Sequence, residues 1–123
     1  SSAGWGGMEA GEGMLYPSQV VDGVVSTLGG AALRHALAAG GSACAVGEAV
    51  VTPAVGRLTD SFDVIAHTPP PFWPRSSDAR VRTAWEGALR RCYVASVAAI
   101  VQFCTARRFP LWIASPLLGA GAC

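Results

Sequence analysis

At 123 residues the chain can build one domain around a modest core. Hydrophobic residues make up 51% and charged residues 14%, which excludes extensive disorder and leaves a dry surface for a free monomer. The formal net charge of +1 exerts no long-range pull on nucleic acid, and all of the positive charge is arginine, because the chain contains no lysine.

The first 18 residues are rich in glycine and show no periodicity, so 1–18 reads as an irregular arm, with Trp5, Met8, Met14, Leu15 and Tyr16 available to anchor it. The chain begins at Ser1 without methionine and without a signal-peptide pattern, as a processed or partial chain would. Ser18 can cap a helix starting near Gln19, with Asp22 in its first turn complementing the helix dipole. That helix should stop at Gly29 and Gly30. A second one over 31–38 places Leu33 and Leu37 on one face and Arg34 outside, and ends at Gly40 and Gly41.

Residues 48–52 alternate weakly and are bounded by Pro53, the pattern of a short strand. A second strand is expected over 62–68, with Phe62, Val64 and Ala66 on one face and Asp63, Ile65 and His67 on the other. Pro69, Pro70 and Pro71 end it. Ser77 or Asp78 then caps the longest helix, which runs to about Arg107. Val81, Trp85, Ala88, Leu89, Cys92, Ser96, Ala99, Ile100 and Phe103 share one face by spacing. Val94, Ala95, Val97, Ala98 and Val101 are apolar too, so the second half is apolar nearly all round. The run between Arg91 and Arg107 is too short to span a bilayer comfortably, and a helix buried on two sides is the expectation.

Leu111, Trp112, Ile113 and Ala114 form an apolar run without alternation, which predicts a strand over 111–115 covered on both faces. Pro116 ends its pairing, and Gly119 and Gly121 turn the backbone N–H groups of the following loop outward. Such a loop after a parallel strand is where α/β folds seat phosphates, although a lone GxG more often makes only a tight connection.

Other chemistry is sparse. Cys44, Cys92, Cys104 and Cys123 form no CxxC pair and lack zinc-site spacing. Cys92 and Cys104 read as buried thiols in an intracellular, reducing compartment. His67 reads as a histidine hydrogen-bonded within the sheet rather than a general base. His35 lies on a helix surface, Glu48 reads as solvated, and Cys123 has no neighbouring base to activate it. Arg75, Arg80, Arg82, Arg90, Arg91, Arg107 and Arg108 offer a basic side, with RNA backbone contact as the partner reading.

The segments GGAALRHAL (29–37), VGEAVVTPAVG (46–56), FDVIAHTPPPFW (62–73), AWEGALRRCY (84–93) and SPLLGAG (115–121) occur in an order that resembles the macro domain. This is a family of ADP-ribose-binding modules, and the resemblance covers most of the chain from Gln19 to Gly121. It implies an α/β fold, a three-layer α/β/α arrangement with a mixed sheet, over 19–123. It further implies ADP-ribose as ligand, held at Asp22, Gly23 and Val24 on a helix start and at Leu117, Leu118, Gly119, Ala120, Gly121 and Ala122 on the second loop. The chain departs from the family pattern in three ways. The first loop keeps only Gly23 and carries the anionic Asp22. The asparagines of the hydrolases have no counterpart, and neither does the acidic residue that reads the adenine amino group. A macro domain would also start with strands before the first glycine-rich region and continue after the last loop, so an open-edged sheet covered by a partner is expected. The resulting reading is a non-catalytic macro-like subunit of a larger assembly, such as an organellar (mitochondrial) ribosome, with no membrane contact, no metal and no cofactor. The alternative is a module that binds ADP-ribose or a related nucleotide, and an ADP-ribosyl hydrolase ranks third.

Overall fold

The structure, a computed structural model, describes residues 21–40, 44–106 and 110–119. The arm over 1–18, the helix cap at Ser18 and the loop residues Ala120, Gly121 and Ala122 lie outside the described residues. In chain order the elements are helix α1 (Val21–Ala39), strand β1 (Val50–Pro53), a 3-10 turn (Gly56–Asp60), strand β2 (Val64–His67) and helix α2 (Ala79–Phe103). Helices and strands are both present, so the chain is of mixed α and β content.

Helix α1 is two helical segments joined across a kink. Gly30 has φ 58° and ψ −148°, a conformation that L side chains hardly adopt, so the backbone breaks where the paired glycines predict it. Beyond the break Leu33 is buried and Arg34 is exposed, as the spacing requires. The 3-10 turn packs against this break. Gly56 (φ 58°) lies so close to α1 that a Cβ there would sit 2.6 Å from the Leu28 carbonyl oxygen. Leu58, from the same turn, is buried.

Strands β1 and β2 form a two-stranded antiparallel ribbon in which Val50 faces His67 and Pro53 faces Val64. An isolated pair of strands is marginal in water, so its stability comes from what packs on it. Helix α2 lies across both strands, whereas α1 rests on the 3-10 turn and β1, and the two helices do not pack on each other. Asp78 caps α2 by accepting a 2.8 Å hydrogen bond from the Arg80 N–H. The proline-rich link between β2 and α2 is fastened to the helix it leads into. Cys92 Sγ donates to the Pro69 carbonyl at 3.3 Å and Trp85 Nε1 to the Pro71 carbonyl at 3.2 Å. Trp73 meets Trp85 edge to face, with centroids 4.8 Å apart.

Two expectations are overturned, one of them that α2 runs to about Arg107 buried on two sides: it ends at Phe103, with Val94, Val97 and Val101 exposed. Residues 111–115 form no strand, and Leu111, Trp112 and Ile113 are exposed rather than buried. A strand covered on both faces needs neighbours to pair with, and among the described residues the only ladder is the one between β1 and β2. The segment instead turns back along α2. Tyr93 Oη donates to the Pro116 carbonyl at 3.4 Å and accepts from the Leu118 N–H at 2.7 Å. Gly119 lies over Trp85 and Leu89, one to two turns nearer the start of the helix.

Candidate functional site

Three regions carry polar or unpartnered groups, and they differ in what they can do. The first is a buried polar knot on the ribbon. Thr52 and His67 lie on the same face, diagonally across the ladder, and share a 2.9 Å hydrogen bond between Oγ1 and Nε2. His67 is fully buried, and its Nδ1 has no hydrogen-bond partner among the described residues. Burial pushes its pKa down to about 3, against the opposing pull of the Asp22 carboxylate. The imidazole is therefore neutral at physiological pH and acts as a structural group. Beside it, Thr68 Oγ1 donates to the Glu48 carbonyl at 2.6 Å, which fastens the turn before β1 to the end of β2.

The cysteines match this quiet picture. Cys44, Cys92 and Cys104 are free and buried. Burial, then Glu48 and Cys92, raises the pKa of Cys44, which suppresses the nucleophilic thiolate. Among the described residues no three His, Cys, Asp or Glu side chains gather as metal ligands.

The second region comprises the residues expected to hold ADP-ribose. Asp22, Gly23 and Val24 occupy the beginning of α1, where Gly23 is buried and Val24 exposed. Leu118 and Gly119 lie against α2, and Leu117 before them is exposed. The first group thus lies on α1 and the second in a turn beside α2, and these two helices do not meet in close backbone contact. Gly119 has the positive φ (73°) expected of a turning loop, but the Leu118 N–H is already donated to Tyr93.

The third region was assigned to the interior in part. Val94, Val97 and Val101 are exposed on the outer face of α2, at 61%, 46% and 48%. Along the adjoining segment Trp112 is 95% exposed and Leu117 77%. From Tyr93 to Ala106, and again from Pro110 to Gly119, the chain carries no charged residue. The exposed valines are the face that the sequence leaves uncovered once the helix has met the sheet. Trp112 was missed, because an apolar run without alternation reads the same whether it is destined for a sheet or for a partner. Nearer its start α2 changes character, and Arg80 and Arg91 flank a shallow trough floored by Ala84 and Gly87. No helix among the described residues is long and apolar enough to cross a membrane. The chain matches no protein-family model, no curated protein and no solved structure.

Proposed function

We propose that this chain is a non-catalytic subunit that docks into a larger protein assembly through the outer face of α2 and the adjoining residues 111–117. One observation carries the reading: exposed, uncharged apolar residues on α2 and over 111–117, among them a tryptophan 95% exposed. Contiguous exposed apolar patches mark contacts, and tryptophan is enriched among the residues that anchor them. Burial is worth about 25 cal/mol per Å², so covering several such side chains supplies several kcal/mol. The finer fold reading, a macro-like three-layer α/β/α arrangement with a mixed sheet, belongs to the same proposal. It needs pairing for 111–115 that the described residues do not supply. ADP-ribose binding is less well supported, because the Leu118 N–H is engaged and the two expected contact groups lie apart, one on α1 and one in the turn beside α2.

Tagged full-length chain expressed in its own host tests the reading. Wild type should sediment with a particle larger than itself, and Val97→Glu should move to the free fraction. Unchanged sedimentation of both Val97→Glu and Val101→Glu would show that this face is not the contact.

A further inference from the structure

Residues 111–115 are exposed, and their backbone is also unpaired. From Pro110 to Leu117 the chain runs without turn or bend. Between the two prolines no backbone N–H or carbonyl makes a hydrogen bond among the described residues. Exposure alternates as it does along a strand, at 41% for Leu111, 95% for Trp112 and 43% for Ile113. The two edges of this extended segment differ, because the backbone groups of alternate residues point to opposite edges. Pro110 and Pro116, which have no N–H, share an edge with Trp112 and Ala114. On that edge Tyr93 of α2 donates to the Pro116 carbonyl. Leu111, Ile113 and Ser115 form the other edge, which has an N–H donor at every position and no partner among the described residues.

We infer that Leu111, Ile113 and Ser115 pair with the edge of a β-sheet in another protein of the assembly, so that 111–115 adds to that sheet as a strand. The inference rests on the assembly reading above and names the chemistry of the partner at this segment. The backbone selects it. An apolar helix or a lipid surface laid over 111–113 takes N–H and carbonyl groups out of water and returns no bonds, so each group opposes the burial. A sheet edge covers the same side chains and bonds the backbone as well. A second copy offering the same segment makes a ribbon of only two strands, which is marginal in water. Trp112, with almost its whole side chain free, is the anchor for a pocket beside that edge.

Tagged full-length chain in its own host tests this, by sedimentation and by residue-resolved amide exchange on the isolated particle. Ile113→Pro deletes a donor on the open edge, and Ala114→Pro deletes one on the edge toward Tyr93. Ile113→Ala trims the side chain but keeps the donor. Ile113→Pro should be lost from the particle, while Ala114→Pro and Ile113→Ala should remain in it. All three purified chains should keep the wild-type far-UV spectrum, because 111–115 belongs to no helix or strand of the fold. In the particle the amides of Leu111, Ile113 and Ser115 should exchange at least about tenfold more slowly than in the free chain, and those of Trp112 and Ala114 should not. If Val97→Glu is released and Ile113→Pro is not, the assembly reading stands and the strand inference falls. If the wild type sediments alone, both fall. Equal release of Ile113→Pro and Ala114→Pro overturns the strand inference, because the donor edge then makes no difference. Slow exchange of the same amides in the purified chain, as monomer or dimer, overturns the partner sheet in favour of pairing within or between copies of this chain.

Discussion

His67 couples the ribbon to pH. Its folded pKa of about 3 lies below the ordinary value of 6.5. Between these values the unfolded chain takes up a proton that the folded chain refuses. Its contribution to stability is therefore complete above about pH 6.5 and is lost as the pH falls toward 3, amounting to about 3 kcal/mol by pH 4. Thermal melts should show this decline, and His67→Gln, which does not titrate, should flatten it. Thr52→Val keeps the shape but leaves both ring nitrogens without a described partner, at a cost of about 1–3 kcal/mol even at neutral pH. Two glycines separate backbone strain from crowding. Gly30 and Gly56 share φ 58°, but a Cβ at Gly30 meets nothing within 4 Å, whereas one at Gly56 would strike the Leu28 carbonyl. Gly30→Ala should cost the strain alone, about 1–3 kcal/mol. Gly56→Ala should cost more, with the difference read from denaturation midpoints.

At the scale of elements, α2 is the platform on which the rest is fastened. The proline-rich link, the ribbon and residues 116–119 all lean on it, the link and Gly119 both meeting Trp85. The last attachment depends on one phenol. Tyr93→Phe removes both hydrogen bonds to 116–118, so amide exchange at Leu118 should accelerate while global stability falls by only about 1 kcal/mol. A comparable loss of protection throughout β1 and β2 would mean that the segment supports the ribbon rather than resting on the helix.

At the scale of the molecule, the largest fully buried side chains among the described residues are Leu33, Leu58, His67 and Cys92. The apolar face of α2 left exposed beside them is the surface that the proposed assembly would cover. If copies of the chain cover it for one another, the melting temperature of the wild type should rise with protein concentration and that of Val97→Glu should not. Concentration-independent melting of both would show that the exposed face contributes nothing to the stability of the isolated chain.

The sequence by itself determined what is local. The glycine pair that breaks α1, the aspartate that caps α2, the prolines that close β2 and the histidine bonded within the sheet all follow from backbone preferences and periodicity. It also marked the outer face of α2 as surplus to the sheet, because a helix apolar nearly all round has more to bury than one layer covers. Only the tertiary structure decided the fate of 111–117. An uncharged run without alternation satisfies a buried strand and an exposed contact equally well, and the difference lies in whether another strand is at hand to accept its backbone hydrogen bonds. Here Tyr93 takes the end of that segment instead, so the tryptophan that the sequence placed inside stands in solvent.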